Sequence, residues 1–217
     1  HILAEKGSGR LDRPCLLVMP TSLIPNWRIE AERFAPSLKL LPLHGPDRKQ
    51  YFEDIVNADV VLTTYPLVHR DREALLKQDY HLAIFDEAQA IKNPTANAAK
   101  FACEVSAWQK ICLSGTPVEN HLGELWSLFH CVVPGLLGES KAFGKSFRNP
   151  IEKHGNAEKQ TILNRRVNPF LLRRTKEAVA TELPPKTETI EHVALDGKQR
   201  DLYETVRLAM DKKVRAE

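Results

Sequence analysis

The stretch Leu82–Asn93, LAIFDEAQAIKN, constrains this chain more than any other. Leu82, Ala83, Ile84 and Phe85 leave no room for polar alternation, so they predict a strand buried on both faces. Such strands belong to parallel sheets covered by helices. Asp86 and Glu87 then fall at the strand's carboxyl end, where open α/β sheets bind ligands. Two carboxylates there can divide labour. One can hold a hydrated Mg²⁺ while the other orients and deprotonates a water. By itself the pair is better explained by a solvated strand end that caps the next helix, and only the rest of the chain reverses this.

Size and composition set outer bounds. The 217 residues suffice for one sizeable domain, or one domain plus part of another. The net charge of +3 is too mild to require a nucleic-acid partner, but accommodates one if basic residues cluster. No apolar run approaches the roughly 20 residues of a membrane span, so no membrane partner is expected. The opening HILAEKGSGR has neither an initiator Met nor a signal peptide's order, as expected of a piece of a longer protein. Cys15, Cys103, Cys112 and Cys131 form no C-x-x-C, which gives no support to a zinc ribbon or redox motif. Three of them lie in apolar surroundings and read as buried reduced thiols, pointing to a cytoplasmic protein. The eight His residues form no H-E-x-x-H pattern.

Along the chain, buried strands alternate with amphipathic helices. Strands are expected at 15–19, 38–43, 59–64, 82–85 and 110–113. The intervening segments carry helical spacing: Trp27, Ala31 and Phe34 in the first, and Tyr51, Ile55 and Val56 facing inward in the second. Thr21 or Ser22 can cap the first of these helices. This order predicts an α/β, doubly wound parallel sheet flanked by helices. After the fifth strand the pattern changes. Residues 122–133 read as a helix, and 134–174 as further helices extending the sheet domain. Pro184-Pro185 is a stiff break, 187–195 alternates like a new strand, and 197–217 is helical with Leu202, Val206 and Met210 along one face.

A second informative stretch is Lys110–Asn120, KICLSGTPVEN. A buried strand again runs into small hydroxyl residues around a glycine, placing donors beside Asp86 and Glu87. By itself this is a capped turn stiffened by Pro117. Taken together, DEAQ-x-IKN and LSGTPVEN resemble motifs II and III of the Swi/Snf-type helicase-like ATPases of superfamily two. LLVMPTSLIPNW resembles their motif Ia, and VVLTTY their motif Ib region. FLLRRTKEAVATELPPKTE resembles the way out of the first lobe, and DGKQRDLYE the entry to the second. The resemblance covers nearly the whole chain in order, and bacterial members are the most similar. It implies a first RecA-like lobe at 1–133, a helical extension at 134–183, and a linker with the start of a second lobe at 184–217.

The resemblance also implies roles. Asp86 would hold Mg²⁺ through water, Glu87 would polarise the attacking water, and Gln89 would face the γ-phosphate and the partner lobe. Ser114, Gly115 and Thr116 would couple the nucleotide site to the DNA face. Pro20, Thr21, Asn26, Thr64 and Tyr65 would track a DNA backbone, as hydroxyls and amides suit phosphate oxygens. Thr21 could equally be a helix cap. Arg173 and Arg174 could neutralise phosphates or be a solvated pair at a helix end. ATP and Mg²⁺ are the implied cofactors. Duplex DNA, rather than RNA, and a second ATPase lobe of the same parent chain are the implied partners. The implied compartment is the bacterial cytoplasm and its nucleoid, or the nucleus of a eukaryote.

Two departures limit this. The family's glycine-rich phosphate loop should precede His1. The one Gly-Lys-Ser, at Gly144–Ser146, has Glu139 where the loop pattern needs Gly, and reads as a turn entering a helix. The later motifs, with their Arg finger, are also absent, so the chain by itself is expected not to hydrolyse ATP. A scaffold that keeps the fold without hydrolysis is the alternative. A nuclease or restriction motor subunit shares motif II but not the IKN and PVEN extensions.

Overall fold

A computed structural model describes residues 1–116, 120–174 and 189–214. They form two compact units, His1–Leu171 and Leu172–Glu217. The first contains five parallel strands: β1 (Cys15–Met19), β2 (Leu40–Pro42), β3 (Val60–Thr64), β4 (Asp79–Phe85) and β5 (Ser106–Cys112). Their order across the sheet is β2-β3-β1-β4-β5. The chain runs from β1 to β2 and β3 on one side, then crosses to β4 and β5 on the other. The boundary between β1 and β4 is therefore the topological switch point, where the ends of two connections diverge and leave a crevice.

Register brings the informative segments to one edge. Met19 pairs with Thr64 and Val18 with Phe85, so Pro20 and Tyr65 begin at one level and Asp86 stands one residue below it, beside Met19. Phe85 pairs with Cys112, which sets the Leu113–Thr116 segment beside Asp86 and Glu87.

The side-chain period of two divides the core. Leu16 and Val18 of β1, with Ala83 and Phe85 of β4, face one cluster that includes Ile55, Val68, Phe101 and Leu128. Cys15, Leu17 and Met19, with Leu82, face a second cluster capped by Ile24 and the half-buried Trp27. Helices α1 (Ile2–Gly7), α2 (Ile24–Phe34), α3 (Tyr65–Arg70), α4 (Arg72–Leu76), α5 (Asn97–Glu104) and α6 (Leu122–Val132) surround the sheet. After α6 come α7 (Ser140–Phe143), α8 (Asn149–His154) and α9 (Ala157–Val167). Their apolar side chains Phe143, Phe147, Leu163 and Val167 pack with Leu125, Trp126 and Phe129 of α6 as a third cluster. The helical extension thus belongs to the first unit through Leu171, while the boundary expected at 183 lies outside the described residues.

Several local expectations are corrected. Residues Pro46–Asn57 form 3₁₀ turns. Their three-residue period puts Phe52 and Ile55 inward, and leaves Tyr51 and Val56 exposed. Phe34 is exposed at the end of α2, under the Arg33 guanidinium. Neither Thr21 nor Ser22 caps α2: Leu23 takes that position, and Thr21–Leu23 is a separate 3₁₀ turn. Cys103 and Cys131 are joined in a disulfide, where reduced thiols were expected. Packing of α5 on α6 brings them together across 28 residues, a separation that carries no motif. Cys15 and Cys112 are free, and burial pushes both thiols up to about 12, so they stay neutral.

Gly144–Arg148 is a helical segment between α7 and α8 rather than a strand-to-helix loop. In the second unit, α10 (Gly197–Val214) is the expected helix, with Leu202, Val206 and Met210 exposed. Residues 189–196 form no strand, and Ile190 and Val193 lie exposed. The Pro184-Pro185 break and Pro117 lie outside the described residues.

Candidate functional site

The site is built on the end of β4. The Asp86 amide donates to the Val18 carbonyl at 2.8 Å, which extends the β1–β4 ladder by one residue and fixes where the chain leaves the sheet. Asp86 is then held from both faces. The Trp27 indole Nε1 donates to Asp86 Oδ2 at 2.8 Å, and the Tyr65 hydroxyl donates to the Asp86 main-chain oxygen at 2.7 Å. The Glu87 amide donates to Asp86 Oδ1 at 2.9 Å. Both carboxylate oxygens are thus oriented. Burial pushes the Tyr65 hydroxyl well above its ordinary value, with the negative charge of Asp86 and Glu87 adding to this, so it remains a neutral donor.

Glu87 has φ 49° and ψ 56°, the one non-glycine residue with positive φ among the described residues. A left-handed L-residue costs about 1–2 kcal/mol, and such strain persists where the surroundings over-determine it. Here the next amide, of Ala88, is taken by the Leu113 carbonyl at 2.9 Å, and Ala88 is fully buried. The left-handed turn swings the Glu87 side chain out of the strand line, where Gln89 Nε2 donates to its Oε2 at 2.9 Å.

The following Ala88–Ile91 turn is fastened to α6. Ser127 donates to the Ile91 carbonyl at 2.9 Å, and Lys92 pairs with Glu124 at 3.3 Å, both side chains buried. Asn120 Nδ2 donates to the same carboxylate at 2.7 Å. Lys92 of IKN and Asn120 of PVEN therefore meet on the Glu124 carboxylate of α6. Breaking a buried pair of this kind by removing one partner costs about 3–5 kcal/mol.

Beside it, the Leu113 amide donates to the Phe85 carbonyl at 2.9 Å, and Ser114 follows. Ser114 Oγ accepts from the Thr116 amide at 3.2 Å, and Gly115 and Thr116 are exposed.

A second concavity opens at the ends of β1 and β3. It has a volume of about 370 Å³ and is lined by Thr21, Thr64, His44, Arg48 and Arg70, among others. Arg48 is committed structurally: it binds Asp71 through two nitrogens at 2.6 and 2.9 Å and reaches the Gly45 carbonyl at 3.0 Å. Thr64 Oγ1 is buried with no hydrogen-bond partner among the described residues. A buried hydroxyl left without a partner costs about 1–3 kcal/mol. Of the residues expected to track a backbone, Thr21 and Thr64 share this concavity. Pro20 is half-buried at its strand end, Asn26 is exposed on α2, and Tyr65 turns its hydroxyl to Asp86. Arg173 and Arg174 are exposed and belong to the second unit.

Among the described residues no group of three or more His, Cys, Asp or Glu could cage a metal ion. The donor set nonetheless suits Mg²⁺, which is bound by one or two carboxylates together with substrate phosphates and water. Asp86 would be that carboxylate. Sequence reasoning missed Trp27 and Lys92–Glu124. Trp27 read as one apolar position of a helix, and no pattern announces that its N–H meets a carboxylate 59 residues away.

A five-stranded parallel sheet flanked by helices, with paired carboxylates at its switch point, is an α/β lobe of RecA-like form. The sequence model of the SNF2-related domain matches residues 1–217, and the chain belongs to that family. It is 41% identical over 209 residues to the putative ATP-dependent helicase/translocase YwqA of Bacillus subtilis, covering 94% of this chain and 23% of that protein. It is 34% identical over 203 residues to the TATA-binding protein-associated factor MOT1 of Saccharomyces cerevisiae, covering 88% of this chain and 11% of that protein. The SWI2/SNF2 ATPase core of Sulfolobus solfataricus, solved in complex with dsDNA, superposes with a TM-score of 0.75. It is 35% identical, and the match covers 84% of this chain and 38% of that one. The chain thus spans less than a quarter of the length of these curated relatives. No helix of the described residues is long and apolar enough to cross a membrane.

Proposed function

We propose that this chain is the first ATPase lobe of an ATP-dependent, DNA-translocating helicase-like or nucleoprotein-remodelling protein. The observation that carries the reading is the placement of Asp86 and Glu87 at the β1–β4 switch point, one oriented on both oxygens and the other thrust outward by a left-handed backbone. A bound Mg²⁺·ATP would supply the γ-phosphoryl group and the charge neutralisation that its transfer to water, with ADP leaving, requires. Asp86 presents its carboxylate to the hydrated cation. Glu87 accepts the proton of the attacking water, and Gln89 holds the Glu87 carboxylate from the solvent side. Ser114, Gly115 and Thr116 relay the state of this edge towards the DNA face.

Pro20, Thr21, Asn26, Thr64 and Tyr65 lie at the ends of β1 and β3 and on the segments that follow them, and meet a duplex backbone; the concavity shared by Thr21 and Thr64 supports this. Arg173 and Arg174 add charge to the same partner, and a second lobe of the same protein closes the cleft. The compartment is that of the DNA: the bacterial cytoplasm or the nucleus. The alternative is a scaffold that keeps the fold without hydrolysis.

The test is the complete protein with Glu87→Gln. Wild type hydrolyses ATP faster when duplex DNA is added. The variant binds ATP but loses about 100-fold or more of the rate, the range of a lost general base. Near-normal turnover in the variant would remove the role given to Glu87, and a wild type without hydrolysis would leave the scaffold.

A further inference from the structure

Two segments converge on one residue at the switch point. Trp27 belongs to α2, which follows β1 and packs on the cluster around Leu17, Met19 and Ile24. Tyr65 opens α3, directly after β3, and packs on the opposite cluster. The first donates to the Asp86 carboxylate and the second to the Asp86 main-chain oxygen. Asp86 is thus clamped from both faces of the sheet by residues 59 and 21 positions away in sequence.

Trp27 is half-buried, so water could serve its indole N–H. The bond is instead aimed at an anionic acceptor, and charge-assisted bonds are about twice as strong as neutral ones. A carboxylate has about four lone-pair sites. Trp27 Nε1 fills one on Oδ2, and the Glu87 amide fills one on Oδ1. The remaining sites then point in a direction set by where α2 and the β4 end lie relative to each other. Asn26 precedes Trp27, and Thr64 precedes Tyr65. A displacement at either neighbour is therefore one residue and one hydrogen bond away from Asp86.

We propose that Trp27 and Tyr65 are positioning residues that couple the segments after β1 and β3 to the metal-holding carboxylate of Asp86. When duplex DNA engages those segments, it changes the orientation of Asp86 and so the affinity for the Mg²⁺-bound nucleotide. This route is separate from the Ser114–Thr116 segment, and it rests on the function proposed above.

The test is a binding linkage in the complete protein. Mg²⁺·ADP is titrated calorimetrically with and without saturating blunt duplex DNA, and the ratio of the two Kd values is the coupling. In wild type the ratio departs from one by about fivefold or more, the usual range of coupling between sites. Trp27→Phe keeps an aromatic ring but loses the donor, and brings the ratio to within about twofold of one. Mg²⁺-free ADP, which does not use Asp86, binds as in wild type. Tyr65→Phe lowers the ratio without touching the carboxylate, and carries the test by itself if Trp27→Phe fails to fold. A purely structural role would weaken DNA and nucleotide binding in parallel and leave the ratio unchanged, which overturns the proposal. A wild-type ratio of one, in a protein that hydrolyses ATP on DNA, also overturns it. If wild type binds no nucleotide, the functional reading itself falls, and the coupling falls with it.

Discussion

The carboxyl ends of β4 and β5 lie side by side in register, but they are held differently. At the end of β4, Asp86 receives donors from Trp27, Tyr65 and Glu87 and gives its own amide to Val18. Ala88 is buried immediately beyond. At the end of β5, Leu113 is tied to β4, but Gly115 and Thr116 are exposed, and Ser114 Oγ bonds an amide two residues away. Under the proposed function, the difference follows a division of labour. Groups that present charge to a reacting centre must be fixed before the reaction, because orientation supplied late is paid from the barrier. A segment that relays a change of state needs a backbone free to shift.

The comparison can be broken at several points. Phe85 is fully buried where β4 ends, so Phe85→Ala should cost about 3–5 kcal/mol in urea unfolding. A loss below about 1 kcal/mol would mean that the β4 end is not anchored by its packing. Glu87→Gly sharpens the same point from the opposite side. It removes the left-handed penalty of about 1–2 kcal/mol and adds a glycine entropy cost of about 0.5–1 kcal/mol. The variant should gain up to about 1.5 kcal/mol of stability while losing hydrolysis. Destabilisation would show that the Gln89–Glu87 bond outweighs the strain. Smallest is Ser114→Ala, expected within about 0.5 kcal/mol of wild type in stability. Its effect should instead be seen as weaker stimulation of hydrolysis by DNA in the complete protein. A large loss of stability would place Ser114 with the rigid β4 end.

Much of the lobe was legible along the chain. Uninterrupted apolar runs such as Leu82–Phe85 and Val60–Leu62 identify strands covered on both faces, because a half-exposed strand would alternate. The carboxylates of Asp86 and Glu87 and the hydroxyls of Ser114 and Thr116 stand directly after such runs, and a parallel sheet carries them to one edge. Tyr51, Ile55 and Val56 suit an α period at 47–57, but the chain adopts a three-residue period there that turns Phe52 inward. The exposed 189–196 segment shows the limit of alternation, which marks a strand only where a neighbour supplies the ladder.

The sequence by itself determined the parallel α/β lobe, the edge at which its chemistry gathers, and the residues that stand there. These follow from local period and from residue type at strand ends, both of which are properties of contiguous sequence. The tertiary structure decided the strand order that makes β1–β4 the switch point, the left-handed backbone of Glu87, the Cys103–Cys131 bond, and the clamp on Asp86 by Trp27 and Tyr65. Each joins or orients groups that are far apart in the chain. No local pattern encodes such a meeting, because it depends on how separate elements pack on the two faces of one sheet.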